Sequence, residues 1–274
     1  MSPEFETSAV RLRRAALTHG LAGQAALAGE VVPRAKQFLL EAREIQLAAH
    51  RSGVPGGEVA KLRSDAVDIV IDALFLRAGP AAAELALVAT GGYGRAELCP
   101  LSDIDLLVLV PAHTPATQAL VESILYPLWD SGLKVGQSVR TVQECADYAK
   151  EDLHLRVALL ETRLLCGAPS LFNQIEAKVS EMLSGEAWRP LARSIVESQR
   201  KRREKAGGSA YLQEPDLKNG VGALRDVQGC VWLARIARGV AGLGTAGFLP
   251  MGDLQKFEQA KATLLRLRCE LHFQ

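Results

Sequence analysis

The hydrophobic positions of this chain change period twice along its length. Between residues 33 and 52, Phe38, Leu39, Ala42, Ile45 and Ala49 recur at helical spacing, which predicts a helix. Gly53, Pro55, Gly56 and Gly57 predict a loop. Leu62, Ala66, Ile69, Val70, Ala73 and Leu74 then form the stripe of a second helix, stopped by Gly79 and Pro80. Residues 84–90 and 104–110 are short apolar runs that predict two buried strands, with a glycine-containing loop and turn at 91–102 between them. Thr114 and Pro115 have the character of an N-cap and first helical position for a helix that runs to Gly132. Residues 134–140 predict a third strand, and Thr141 with Glu144 has the spacing of a capping box that starts another helix. From residue 152 onward the patterns are helical: 153–166 ending at Gly167, then 170–183, 188–206, 224–238 and 254–273, with 211–222 a polar loop. The last pattern continues to Gln274 without a cap or polar tail, so the chain is expected to be a fragment of something longer.

Composition narrows the class. The 274 residues suffice for one large domain or two modest ones. Hydrophobic residues at 48% and charged residues at 23% exclude global disorder. Lys and Arg number 32 against 31 Asp and Glu, a formal net charge of +1, so no global field points to nucleic acid or an anionic membrane, and neither is expected as a partner. Charges interrupt every apolar stretch before the ~20 residues of a membrane span. The first 14 residues lack the apolar core of a signal peptide. Cys99, Cys145, Cys166, Cys230 and Cys269 are odd in number, scattered and without a CxxC pair, which fits free thiols and a cytoplasmic location. The expected fold class is α+β. Residues 1–79 supply N-terminal helices, 80–149 a small mixed sheet with flanking helices, and 150–274 an all-helical domain truncated at its C-terminus.

The chemistry concentrates in the stretch Gly91-Gly92-Tyr93-Gly94-Arg95-Ala96-Glu97-Leu98-Cys99-Pro100-Leu101-Ser102-Asp103-Ile104-Asp105-Leu106-Leu107. Asp103 and Asp105 stand two apart at the start of a strand, so the period of two puts both carboxylates on one face, with Ile104 and Leu106 facing a core. Two neighbouring carboxylates repel unless a cation lies between them, and hard oxygen ligands suit Mg²⁺ or Mn²⁺. Such a site can clamp an in-line phosphoryl displacement. Gly91 and Gly92 end the preceding strand, where missing side chains let backbone N–H groups approach phosphate oxygens. Arg95 and Ser102 add a charged and a hydroxyl donor for the same phosphates. A DxD alone is usually a solvated strand end, and a GG alone a turn. Together, with ten residues between Gly92 and Asp103 and apolar strands on both sides, they describe a nucleotide-plus-metal site. Elsewhere, the basic run at 200–205 reads as a solvated helix end, Trp129, Trp188 and Trp232 as core, and Cys99 as incidental.

The same stretch resembles the signature of the DNA polymerase β-like nucleotidyltransferase superfamily, and in particular the bacterial protein-PII uridylyltransferase family. Two further segments are similar to that family: residues 212–226, LQEPDLKNGVGALRD, and residues 128–141, LWDSGLKVGQSVRT. The resemblance covers roughly residues 35–274. It implies a polymerase β-like core followed by a helical domain that closes over the nucleotide. The implied activity is transfer of UMP from UTP to a tyrosine hydroxyl of a trimeric PII signalling protein, in nitrogen regulation. Asp103 and Asp105 would be catalytic and hold Mg²⁺ (or Mn²⁺), Gly91, Gly92 and Ser102 would cradle the triphosphate, and Lys218 and Arg225 would contact the nucleotide. The first motif alone also fits nucleotidyltransferases attached to CBS domains and glutamine-synthetase adenylyltransferases.

Departures from the pattern bear on the chemistry. The superfamily places a third carboxylate on a later strand to activate the attacking hydroxyl, whereas residues 134–140 contain no acid. Lys134 and Gln137 stand where the family often has Glu and His, and Ala223 replaces the second glycine of a Gly-Gly pair. Asp130 and Glu144 flank that strand, and the sequence selects neither as the base. None of the five histidines is followed by Asp, so these 274 residues are not expected to remove UMP through the HD phosphohydrolase pair of the full family, whose HD and ACT domains would belong to a longer chain. Two alternatives stay open: a nucleotide-binding module without catalysis, and a CBS-linked-type enzyme with another acceptor.

Overall fold

A computed structural model describes residues 2–211, 213–238 and 243–274, the side chain of Thr245 excepted. Leu212, the first residue of one resembling segment, lies outside the described residues. In chain order the elements are α1 (Pro3–Thr18), α2 (Val31–Arg51), α3 (Gly56–Arg77), β1 (Ala86–Ala89), α4 (Gly91–Gly94), β2 (Ile104–Leu109), α5 (Pro115–Asp130), β3 (Val135–Arg140), α6 (Val142–Tyr148), α7 (Leu153–Leu159), β4 (Arg163–Gly167), α8 (Pro169–Leu183), α9 (Trp188–Lys205), α10 (Leu224–Arg238), α11 (Leu243–Ala246) and α12 (Met251–Phe273). The α+β class with a small mixed sheet and flanking helices is as the sequence leads one to expect. So are the N-cap at Thr114 and the capping box at Thr141.

Three expectations need correction. Residues 153–166 are not one helix but α7 followed by strand β4. A short apolar run such as Arg163–Gly167 cannot be told from a buried helix by periodicity alone. The sheet decides it: Gly167 has φ 95°, and a Cβ there would lie 1.9 Å from the Leu85 carbonyl oxygen. Secondly, α1 carries no mark in the hydrophobic pattern as read above. Its buried stripe is Phe5, Ser8, Leu12, Ala15 and Ala16, too small and too polar to stand out, and Ser2 caps it by accepting from the Phe5 N–H. Thirdly, Trp129 is not core. It is 38% exposed at the end of α5 and donates its indole N–H to the Val135 carbonyl at 3.2 Å.

The sheet order is β3-β2-β1-β4, with β1 antiparallel to both β2 and β4 and β2 parallel to β3. Leu87, Ala89, Ile104, Leu106 and Val108 pack on one face against α2, α3 and α5. Ala86, Val88, Leu107 and Leu109 pack on the other, against Leu159, Ile175, Ile195 and Trp232. Alternation therefore puts Asp105 on the second face, on the side of the C-terminal helices.

The end of the chain returns to its beginning. Helix α12 packs on α3 so closely that a Cβ on Gly56 would lie 2.2 Å from the Arg266 nitrogen. Leu62 of α3, Cys99, Leu224 of α10, and Leu265 and Cys269 of α12 share one buried cluster. Charged groups complete this closure. Arg95 bonds Glu97 through Nε at 2.7 Å and Glu161 through Nη1 at 2.5 Å. Lys261 of α12 bonds the other Glu97 oxygen at 2.6 Å, and the Trp232 indole N–H donates to Glu161 Oε1 at 2.6 Å. Burial pulls the Arg95 guanidinium down, but Glu161 and Glu97 more than offset it and hold it above its usual range. Two cations and two carboxylates thus close a nearly buried, neutral quartet.

Replacing Arg95 with Met leaves two carboxylates in that quartet against one cation. Breaking such a pair costs about 3–5 kcal/mol, so R95M is expected to show a large fall in urea midpoint. Gly56→Ala forces α12 from α3 and is expected to cost roughly 1–3 kcal/mol. Gly57→Ala meets only Leu265 at an ordinary 3.8 Å. It should stabilise by about 0.5–1 kcal/mol in the same titration, through loss of unfolded-state entropy.

Candidate active site

The turn after β1 brings the glycines to the carboxylates. The Thr90 N–H donates to the Asp105 carbonyl at 3.0 Å, and the chain curls through α4 with Glu97 N–H donating to the Gly92 carbonyl at 2.8 Å. Gly91 has φ 56°, and a Cβ there would stand 3.3 Å from Asp105 Oδ2. A Cβ on Gly136, the register partner of Asp105 on β3, would stand 3.5 Å from Oδ1. The Asp105 carboxylate therefore lies between two positions kept free of side chains. Gly94 is required for a different reason: a Cβ there would lie 1.7 Å from the Glu161 carbonyl oxygen.

Asp103 and Asp105 are both exposed, and neither carboxylate has a hydrogen-bond or ion-pair partner among the described residues. Partial burial, and then the Asp103 charge, raise the Asp105 carboxyl above its usual range; Lys218, Arg225 and Arg95 pull it back. Two uncompensated carboxylates with hard oxygen donors fit a Mg²⁺ or Mn²⁺ ion, which commonly takes one or two protein carboxylates and fills its sphere with water and substrate phosphate. Among the described residues no group of three or more His, Cys, Asp or Glu converges as a metal-ligand set.

Cations surround this pair. Burial, followed by Arg268 and Arg225, pushes the Lys218 ammonium below its usual range, against the pull of Asp103 and Asp105. Burial, followed by Arg95, lowers the Arg225 guanidinium. The loop that carries Lys218 is built for position. Asp216 Oδ1 accepts from the N–H groups of Lys218 and Asn219 at 2.8 and 2.9 Å, and the Arg225 N–H donates to the Lys218 carbonyl at 2.9 Å. The basic run of α9 anchors the same loop. Arg202 reaches the Asn219 carbonyl and Asp226, Arg203 reaches Asp226, and the Gly222 N–H donates to Asp226. Arg200 instead pairs with Glu197 and Glu204 on its own helix. Only Gly222 of the Gly222–Ala223 pair needs the left-handed region, at φ 75°, so Ala at the second position fits.

A cleft of about 790 Å³ opens between the second sheet face and α7, α9 and α10. Gly91, Asp105, Gly136, Arg225 and Trp232 line it. The structure separates the remaining site candidates. Gly92, Asp103 and Lys218 do not line that cleft, although Asp103 and Lys218 act electrostatically on Asp105. Arg95 is committed to Glu97 and Glu161, with Nη2 left near Gly92. Ser102 lines a different groove with Pro100, Leu101 and Lys134.

The two acids flanking β3 lie elsewhere. Glu144 accepts from the Thr141 N–H at 2.7 Å and pairs with His113 at 2.8 Å, which hold its carboxyl down at about 2. Asp130 is the last residue of α5. Neither lines the cleft. Asp152 does, a residue the sequence reading did not single out, but its carboxylate caps α7 by accepting from the His154 and Leu155 N–H groups. Cys99, read as incidental, is buried against α12. A hydrogen bond from Cys269 lowers its thiol below the usual range.

Comparison with known proteins identifies relatives of this chain. A family model described as a nucleotidyltransferase domain matches residues 77–165, and one described as GlnD PII-uridylyltransferase matches residues 191–274. The chain is 39% identical over 217 residues to a bifunctional uridylyltransferase/uridylyl-removing enzyme of Cereibacter sphaeroides, covering 76% of this chain and 23% of that protein. Proteins of the same name from Erythrobacter litoralis (41% over 193 residues) and Rhodospirillum rubrum (39% over 194) each match 69% of this chain and 21% of their own length. The chain thus spans less than a quarter of the length of these relatives. With matched segments on both sides of the cleft, this chain belongs to the PII-uridylyltransferase family, of which it carries the nucleotidyltransferase domain and the helical segment that follows.

Proposed function

We propose that the chain is a divalent-metal-dependent nucleotidyltransferase that transfers UMP from UTP to a tyrosine hydroxyl of a PII-type signalling protein. The observation that carries this reading is the uncompensated pair Asp103 and Asp105, set beside a glycine turn and faced by Lys218 and Arg225. The pair would hold Mg²⁺ or Mn²⁺, which when bound supplies charge neutralisation at the triphosphate. Gly91 and Gly136 leave room beside Asp105 for substrate oxygens. Lys218 and Arg225 orient the triphosphate and balance its charge, and Gly92 is an outer member of the cradle, whereas Ser102, in a separate groove, takes no part in it. Arg95 holds the glycine turn in place through Glu161. Trp232 and the walls of α9 and α10 exclude water from the cleft that takes the base and ribose.

The reaction forms a bond between the acceptor hydroxyl oxygen and the α-phosphorus. It breaks the bond from that phosphorus to the oxygen bridging to the β-phosphate, and pyrophosphate leaves with the electron pair. The hydroxyl proton goes to solvent or to an acceptor-side base, since neither Glu144 nor Asp130 lines the cleft and Asp152 is committed to its cap. Among the described residues the other acids lining the cleft, Asp152 and Glu161, are both committed, Glu161 to Arg95 and Trp232, which favours a second reading, a nucleotide-binding module without transfer. A cytoplasmic setting goes with the first reading, because the cysteines are free and no described helix is long and apolar enough to cross a membrane.

Asp103→Asn and Asp105→Asn are each expected to weaken Mg²⁺-dependent UTP binding by tenfold or more in calorimetric titration, with unchanged circular dichroism. Parent-like affinity in either variant removes the metal assignment. Incubation of the parent chain with Mg²⁺, UTP and a PII protein, followed by intact mass, is expected to show one uridylyl group added per PII chain. Tight UTP binding without a mass gain establishes the module instead, and a gain on PII from ATP rather than UTP changes the substrate.

A further inference from the structure

Most arginines and lysines near the candidate site are matched by a carboxylate. Arg95 pairs with Glu97 and Glu161, Lys261 with Glu97, Arg202 with Asp226, Arg163 with Asp68, and Arg235 with Glu176. Among the described residues Lys218, Arg225 and Arg268 have no ion-pair partner, and neither has Arg140 of the cleft, which is instead held by the Ser138 hydroxyl and the Tyr148 ring. Lys218 and Arg225 belong to the loop already described. Arg268 comes from α12, at the far end of the chain.

Helix α12 is tied to the segment that leads into the carboxylate pair at several points. Lys261 bonds Glu97 at 2.6 Å. Cys269 packs with Cys99 in one buried cluster. The Leu101 N–H, two residues before Asp103, donates to His272 Nδ1 at 3.1 Å. Burial, followed by the Arg268 and Lys218 charges, holds the His272 ring below its usual range, which keeps Nδ1 free to accept that bond. Arg268 is one helical turn before His272, so both project from one face. Its charge bears on Lys218, Arg225 and His272 together. The three cations repel one another and none has a direct ion-pair partner among the described residues, only the pull of Asp103 and Asp105 on Lys218 and of Glu161 on Arg225, so an anion bound among them relieves the repulsion. Two vacant carboxylates for a divalent cation and three vacant cations for phosphate are complementary halves of one site.

We infer that Arg268 of α12 is a third phosphate-binding cation, contacting the β,γ-phosphates of the triphosphate, and that His272 is its positioning residue through the Leu101 backbone. This rests on the nucleotide reading above and extends it: the site is completed by the C-terminal helix, so the matched helical segment takes part in binding rather than only supporting the core.

The test uses the full chain with Mg²⁺, titrated with UTP and with UMP, in the parent and in Arg268→Ala, Arg268→Lys, His272→Ala and Leu267→Ala. The last alters an exposed side chain of the same helix as a control. A charge-assisted contact to phosphate is worth roughly ten- to a hundredfold in affinity. Arg268→Ala is expected to weaken UTP by that factor and leave UMP within about twofold, with Lys restoring part of the loss and Leu267→Ala silent. His272→Ala is expected to show a smaller loss with the same preference for UTP. Parent-like UTP binding by Arg268→Ala overturns the inference while leaving the nucleotide reading intact. An equal loss for UTP and UMP, or a loss shared by Leu267→Ala, assigns α12 a structural role and also overturns it. If the parent does not bind UTP, the nucleotide reading falls first and this inference with it.

Discussion

A buried guanidinium must be neutralised where it stands, and the rest of this structure is arranged around that demand. Arg95 follows the glycine turn and is nearly enclosed. Its partners come from opposite directions: Glu97 from its own loop and Glu161 from the link between α7 and β4. Each acid recruits a further donor, Lys261 from α12 and Trp232 from α10. Uncompensated, any one of these charges would cost several kcal/mol in so dry a place. The quartet therefore fixes the glycine turn relative to three helical elements and a strand, and the turn fixes the approach to Asp105.

The electrostatic pattern divides cleanly into two kinds of charge. In the supporting network each cation meets a carboxylate, as in Arg95 and Lys261 with Glu97 and Glu161, in Arg202 and Arg203 with Asp226, and in Arg163 with Asp68. At the carboxylate pair they do not. Asp105 is raised by burial and by Asp103, while Lys218 and Arg225 are lowered by burial and by neighbouring cations. A folded protein keeps such frustration where a ligand relieves it. The basic run at 200–205, which in sequence could suggest a nucleic-acid contact, belongs to the paired kind: it anchors the loop carrying Lys218 and pairs along its own helix.

Much of the fold is legible in the sequence because local rules governed it. The alternation of Ile104, Leu106 and Val108 with Leu107 and Leu109, the N-cap at Thr114, the capping box at Thr141, and the stripes of α2 and α3 are short-range patterns that the tertiary structure had no reason to override. Strand β4 escaped because its apolar run follows a helical one without a break, and only pairing with β1 separates them. Helix α1 escaped because its buried face is mostly alanine and serine. Trp129 was misread because a helical stripe says which side a residue is on, not whether anything covers that side.

The sequence by itself determined the carboxylate pair, the glycine turn before it and the family signature, since each is a contiguous segment whose chemistry follows from spacing. It could not determine which cations stay unpaired, which acids face the cleft, or that positions 105, 218 and 268 share one electrostatic field. Those outcomes depend on how α12 returns to α3 through the side-chain-free surface of Gly56, and on which arginines find a carboxylate first. Charge interactions act through space, so their sum is settled only when the chain has closed.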